Sequence, residues 1–132
     1  REEVSCFEPG EQGGTFTNHP LLSAVGLAVV DAVGRPEFLA RVREAGARLE
    51  AGLRAIAAEV RGEVRARGLL QAIDLPGVAA RDFAARAIEA GLIVNPIPPS
   101  TIRLMPRLDS TDAEIDEALR ILREVLAEVR RV

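Results

Sequence analysis

The chain contains no lysine, no tryptophan and no tyrosine in 132 residues. Every one of its 17 basic side chains is an arginine, so chemistry that needs a side-chain amine, such as imine formation with a carbonyl, is excluded for this chain by itself. A single cysteine, Cys6, excludes an internal disulfide. A single histidine, His19, leaves no cluster with metal-ligand spacing, so neither a structural zinc nor a haem is expected, and no metal site is assigned. No apolar run reaches the roughly 18 residues that a membrane-spanning helix needs. Arg1-Glu2-Glu3-Val4 is not the basic and then apolar start of a signal peptide. These absences make the cytoplasm the expected location and give no membrane partner. A net charge of -3 argues against nucleic acid, whose binding draws on clustered basic charge.

What is present describes a globular domain. Hydrophobic residues make up 48% and charged residues 28% of the chain, and its length suits one compact core without a staple. Residues 1 to about 18 carry Pro9, Gly10, Gly13 and Gly14 without helical or strand periodicity and read as an extended arm. Asn18-His19-Pro20 is a helix entry, since asparagine caps and proline is tolerated in the first turn. The helix that follows, to about Val33, is apolar nearly all round and is expected to be buried on several sides, against a second chain or a further domain.

Gly34 and Pro36 separate it from a second helix in which Phe38, Val42, Ala45, Leu49, Leu53, Ile56 and Val60 form one apolar stripe, with Arg41, Glu44, Arg48 and Arg54 on a solvated face. Glu63 to Arg67 and Leu69 to Leu75 read as strands around Gly68. Pro76-Gly77 turns the chain into a short helix, Ala79 to Ala90, with Phe83, Ala84, Ala87 and Ile88 inward and Gly91 as its C-cap. Leu92 to Val94 and Thr101 to Met105 are the remaining strand candidates. Thr111-x-x-Glu114 is a capping box for a last helix with Ile115, Leu119, Leu122, Leu126 and Val129 inward. The expected class is α+β, a small and mostly antiparallel sheet covered by helices.

Four features are able to carry chemistry. The loop Pro9 to Asn18 either presents backbone N–H groups to an anion ahead of a helix N-terminus or is an ordinary glycine-rich connection. Arg103 sits alone among apolar neighbours on a strand, with Thr101 and Met105 on its face by alternation. It either grips a carboxylate with its planar fork or pairs with an acid of its own chain. His19 reads as a cap or interface residue rather than a general base, having no partner acid at fixed spacing. Cys6 has no histidine or lysine beside it to lower its pKa and reads as an incidental thiol.

Cys6-Phe7-x-Pro9-Gly10-Glu11-Gln12-Gly13-Gly14-Thr15-Phe16-Thr17-Asn18-His19-Pro20-Leu21 resembles the glycine-rich Thr-Phe-Gly-Gly-Asn-Pro segment of class III pyridoxal-phosphate aminotransferases, the acetylornithine aminotransferase type in particular. Val64 to Leu70 is similar to that family's Val-Arg-Gly-x-Gly-Leu-Met, Gly91 to Asn95 to its Gly-Leu-Leu-Val-Asn, and Ile102 to Pro106 to its Leu-Arg-Leu-x-Pro-Pro. The four matches occur in the family's order. The resemblance implies the small domain of a fold-type I enzyme, with residues 1–34 an interface arm and linking helix and residues 35–132 the C-terminal small domain.

It also implies that the cofactor ring, its aspartate partner and the Schiff-base lysine belong to a large domain upstream, so that this chain, which opens at Arg1, is a part of a longer, homodimeric enzyme. The reaction implied is amino transfer between N-acetylornithine, or a related ω-amino donor, and 2-oxoglutarate, a step of arginine biosynthesis. By the resemblance Thr15 binds the phosphate of pyridoxal 5'-phosphate in the neighbouring subunit, Gly14 adjoins the substrate, and Arg103 binds the substrate α-carboxylate. No residue of the chain is implied as catalytic. Gly14 stands where the family has serine or threonine, Asn18-His19 where it has Gly-Asn, Ala66 where it has glycine, and Arg107 where it has the second proline, placing a charge near Arg103. A stand-alone, non-catalytic interaction or dimerisation module of the same fold is the alternative.

Overall fold

The structure is a computed structural model that describes residues 6–8, 10, 11, 13–16 and 19–130. The chain divides into two compact units, Arg1–Phe38 and Leu39–Val132. The first contains the glycine-rich loop and helix α1 (Pro20–Val33). Asn18 and Thr17 lie outside the described residues, and His19 occupies the N-cap position with no side-chain capping bond. The apolar surface of α1, expected to be covered by a second chain or a further domain, lies open within this chain. None of its residues is buried, and Leu21, Val25, Leu27, Val29 and Val30 are each more than half exposed. An apolar helix stays exposed when the surface that would cover it is not supplied by its own chain.

In the second unit the elements run α2 (Pro36–Ala58, whose first turn precedes the boundary), β1 (Glu63–Arg67), β2 (Leu70–Asp74), α3 (Ala80–Glu89), β3 (Asn95–Ile97), β4 (Thr101–Leu104) and α4 (Asp112–Val129). The strands form one antiparallel sheet in the order β1-β2-β4-β3. Side chains alternate across it. Val64, Gln71, Ile73, Ile102 and Leu104 face the helices and join Leu49, Leu53 and Ile56 of α2, Phe83 and Ala87 of α3, and Ile115, Leu122 and Leu126 of α4 in one core. Glu63, Arg65, Arg67, Leu70, Ala72, Asp74, Thr101 and Arg103 alternate onto the opposite face, where Leu70 remains 52% exposed.

Gly68 turns the β1–β2 hairpin with φ 58°, a left-handed value that favours glycine. The buried amide of Gln71 then ties this turn to α2, its Nε2 donating to the carbonyls of Gly46 and Gly68 at 2.7 Å each. Gly46 permits the approach: a Cβ there would stand 2.9 Å from the carbonyl carbon of Gly68.

The third strand differs from the sequence expectation. Leu92 to Val94 are not a strand, because the Leu92 N–H still donates to the α3 carbonyl of Ala87 at 2.7 Å and Ile93 swings out to 87% exposure. Pairing begins three residues on, through Asn95↔Arg103, Pro96↔Ile102 and Ile97↔Thr101. Proline is accepted there because β3 is an edge strand. Two further expectations are corrected. Ile88 is 58% exposed rather than inward. Arg41 and Arg48 are not merely solvated: the first donates to Asp112 at 2.7 Å and the second, through Nε at 2.7 Å, to Asp116, so both face α4. With partners about half exposed, such pairs orient the helices more than they stabilise them.

The capping box of α4 is formed in both directions. The Thr111 hydroxyl accepts from the Glu114 N–H at 3.2 Å, and the Glu114 carboxylate accepts from the Thr111 N–H at 2.7 Å. Among the described residues no helix is long and apolar enough to cross a membrane, and no cluster of acidic, histidine or cysteine side chains suits a metal ion.

Two outcomes follow from this packing. Gly46→Ala should destabilise the fold by about 1 kcal/mol or more in urea titrations, the clash with backbone outweighing alanine's better helix propensity. A more stable variant would mean that α2 does not rest on the hairpin. The Thr111 N–H, then its hydroxyl, and the charge of Arg107 hold the Glu114 carboxyl below its ordinary 4.5 against a smaller opposing effect of burial. A carboxyl lowered in the folded state contributes stability above its unfolded pKa and loses it as pH falls through the folded value. Thermal melts should therefore show α4 weakening only below about pH 4.5, with a flatter profile for Glu114→Gln.

Candidate functional site

Arg103 is the third of the four residues of β4, opposite Ala72 on one side and Asn95 on the other. Period-two alternation decides its direction: Ile102 and Leu104 are buried in the core, so Arg103 and Thr101 leave on the opposite face. Its residue is half-buried and its Nε is buried without a hydrogen-bond partner. A buried guanidinium N–H without an acceptor is costly and marks a place where an acceptor belongs. No described acid pairs with it, whereas Arg41, Arg48, Arg54, Arg107, Arg120 and Arg123 each meet a carboxylate within 4.0 Å. Of the two readings that the sequence left open for Arg103, pairing with an acid of its own chain is not what the described residues form.

The surroundings of Arg103 are shaped by its neighbours in the sheet. A cavity of about 330 Å³ lies against it, lined also by Arg65, Arg67, Leu70 and Ala72. Asp74, the nearest acid on this face by register, is engaged elsewhere: its Oδ1 accepts from the hydroxyls of Ser100 at 2.6 Å and Thr101 at 3.1 Å. Met105 does not share the face as alternation suggested. The strand ends at Leu104, and Met105 lines a separate cavity of about 240 Å³ with Leu49, Ser110 and Ile115. Arg107 likewise adds no free charge, since it pairs with Asp109 at 3.1 Å and Glu114 at 3.5 Å.

Gly14 and Thr15 lie in the other unit, both exposed, with Thr15 in a turn four residues ahead of His19. The Thr15 hydroxyl bonds to no described residue. The one carboxylate bound within the described part of this loop, that of Glu11, is turned back onto the Glu8 N–H at 2.8 Å. No acid stands in the first turn of α1 and its N-cap makes no side-chain bond, so among the described residues no side chain offsets the positive end of the helix. An exposed hydroxyl ahead of such a helix start suits the phosphate end of pyridoxal phosphate. The chain has no lysine for the cofactor's aldehyde, so the fit is to the phosphate alone. Cys6 is exposed, as is His19.

Sequence reasoning passed over Arg65, Gln71 and Asn95. Arg65 and Asn95 are brought to Arg103 only by strand register, through Arg65↔Ala72, Ala72↔Arg103 and Asn95↔Arg103. Gln71 was legible in principle, as a polar residue at an inward position of a strand.

The Arg103 site makes a defined prediction. Arg103→Gln removes no partner among the described residues, so it should shift the melting temperature by no more than about 2 °C. Ile102→Ala, one residue away and pointing into the core, should cost about 2 to 5 kcal/mol. A large loss on Arg103→Gln would make the arginine a structural residue.

Comparison with known proteins gives a single answer. A family profile described as "Aminotransferase class-III" matches residues 1–126. The chain is 42% identical over 130 residues to an acetylornithine aminotransferase of Nostoc, a match that covers 93% of this chain and 30% of that enzyme. It is 35% identical over 132 residues to the acetylornithine aminotransferase of Caldanaerobacter subterraneus, covering 98% of this chain and 34% of that enzyme. Among solved structures, the ornithine aminotransferase of Toxoplasma gondii, described with partial occupancy of PLP at its active site, superposes with a TM-score of 0.80 at 26% identity over 94% of this chain and 31% of its own. The chain thus spans about a third of the length of these aminotransferases, and it belongs to the class-III aminotransferase family.

Proposed function

We propose that the chain forms the C-terminal portion of a pyridoxal-phosphate-dependent aminotransferase of the acetylornithine type, moving an amino group between N-acetylornithine, or a related ω-amino donor, and 2-oxoglutarate in arginine biosynthesis. The observation that carries this reading is the guanidinium of Arg103, directed onto the open sheet face with a buried Nε that no group of the described residues accepts from. An α-carboxylate placed there completes its hydrogen bonding, and the planar fork fixes the orientation of the bound amino acid as a point charge would not. Residues 35–132 act as the small domain that carries this arginine, and residues 1–34 as an interface arm and linking helix.

Bound pyridoxal phosphate supplies the carbonyl that accepts the amino group and returns it. Toward that group the chain contributes Thr15, whose hydroxyl donates to the phosphate, with the loop from Gly13 to Phe16 offering N–H groups beside it. In the homodimer Thr15 serves the site of the neighbouring subunit. Gly14 adjoins the substrate without a side chain of its own. The exposed apolar surface of α1 supports this assignment, because Leu21, Val25, Leu27 and Val30 need cover that an upstream large domain or the dimer mate provides. The assembled enzyme is cytoplasmic on this reading.

The 132-residue chain alone is inactive, since it has no lysine. Borohydride reduction in the presence of the cofactor should fix no pyridoxyl group to an internal residue, and such an adduct would contradict the reading. The positive test replaces the matching C-terminal third of the Nostoc enzyme with this chain. The hybrid should transaminate acetylornithine, and Arg103→Lys should lower its efficiency with both substrates on the order of 10- to 100-fold, the loss of a charge-assisted hydrogen bond. A folded, cofactor-loaded hybrid whose kinetics ignore Arg103→Lys would refute the role given to this residue.

A further inference from the structure

We infer that Ser100 and Thr101 are positioning residues, whose hydroxyls hold the Asp74 carboxylate away from Arg103 and so keep the guanidinium available to a substrate carboxylate. This rests on the reading of Arg103 as the carboxylate-binding residue and adds what keeps it available. Asp74 is opposite Thr101, and Ala72, two residues earlier on β2, is opposite Arg103. Asp74 and Arg103 are therefore diagonal neighbours on one face of the sheet. The Cα atoms of such neighbours stand about 7 to 8 Å apart, within the reach of a long side chain. Ala72, beside both, offers no side chain long enough to stand between them. The acid and the arginine nevertheless form no ion pair, and the Arg103 Nε is buried without an acceptor.

The hydroxyls supply the reason. The Asp74 Oδ1 accepts from the Ser100 hydroxyl at 2.6 Å and from the Thr101 hydroxyl at 3.1 Å, in half-buried surroundings. The first distance is in the short range of a hydroxyl on an ionised carboxylate. Two such bonds on one oxygen hold the group more firmly than an ion pair on an open sheet face, which water screens. Their direction matters as well: Thr101 is opposite Asp74 and Ser100 precedes it, whereas Arg103 lies two residues further along β4. The backbone keeps both hydroxyls in place independently of Asp74, since the Ser100 carbonyl accepts from the Leu75 N–H and the Pro99 carbonyl from the Ala80 N–H, each at 2.9 Å. Removing the hydroxyls thus releases the carboxylate without releasing the strand. Glu63, the other acid on this face, is opposite Asp74 on β1 and lies one strand further from Arg103, so Asp74 is the competitor that has to be restrained.

The test is a side-chain NMR titration of the full 132-residue chain labelled at arginine nitrogen, with butyrate as the carboxylate. Ser100→Ala combined with Thr101→Val should shift the Arg103 Nε–H signal before any ligand is added and weaken butyrate about fivefold, the effect of a diagonal ion pair that has to be broken first. In a chain that carries Asp74→Asn, the same two substitutions should change neither the signal nor the affinity. If butyrate binding ignores the loss of the hydroxyls while Arg103→Gln weakens it, the role of Ser100 and Thr101 is overturned and that of Arg103 stands. If Arg103→Gln leaves butyrate unchanged, both fall together. A weakening of the same size with Asp74→Asn in place would mean that the hydroxyls act without Asp74, which also overturns the inference. Melting temperatures show whether each variant keeps its fold. Should the double substitution melt early, Ser100→Ala alone, outside β4, should still shift the Arg103 signal and weaken butyrate about twofold, and an unmoved signal there overturns the inference.

Discussion

A buried amide holds the second unit together. The Gln71 Nε2 reaches both the Gly46 carbonyl of α2 and the Gly68 carbonyl of the hairpin turn, which fixes the depth at which the helix meets the sheet and the direction in which Gln71 points. Since neighbours on a strand point to opposite faces, that one bond pair commits Ile73 to the core and Ala72 to the open side. Through the β2–β4 register it commits Ile102 inward and Arg103 outward as well. A slip of one residue would bury the guanidinium among Phe83, Leu122 and Leu126 and expose Ile102. The outward placement of Arg103 is thus a consequence of core packing rather than of any contact that Arg103 makes itself.

Much of this was legible in the sequence because it was written in local chemistry. Thr111 and Glu114 specify their own reciprocal bonds, Gly68 specifies a turn, and the stripe from Ala45 to Ile56 specifies a buried face. What was not legible depended on tertiary geometry. β3 began at Asn95 rather than Leu92 because the end of α3 retained Leu92 in a helical hydrogen bond. The charges of Arg41 and Arg48 found α4 partners about 70 residues away in the chain. Arg65 became part of the Arg103 neighbourhood only through pairing across an intervening strand. The exposure of α1 followed from the apolar character that the sequence showed, but periodicity describes a surface that needs cover and not what covers it.

The two units contribute differently to the function. The second contains a complete hydrophobic core, and the arginine it displays is left with an unmet hydrogen-bond donor. The first presents an exposed hydroxyl and a helix start free of acidic residues, next to an apolar helix without cover. Unmet donors, unmatched positive charge and uncovered apolar area are all costs that a stable stand-alone domain would not be expected to carry together. Each is relieved by a group that the reading assigns to the complete enzyme: a substrate carboxylate, a cofactor phosphate and a large domain or dimer mate.

The most direct measurement is a crystal structure of the Nostoc hybrid carrying this chain, loaded with pyridoxal phosphate and an unreactive dicarboxylate. The account predicts an analogue carboxylate bound by the Arg103 guanidinium through two N–H donors, with Nε no longer without an acceptor. An Arg103 paired instead with an acid of the protein, and the analogue bound elsewhere, would contradict it.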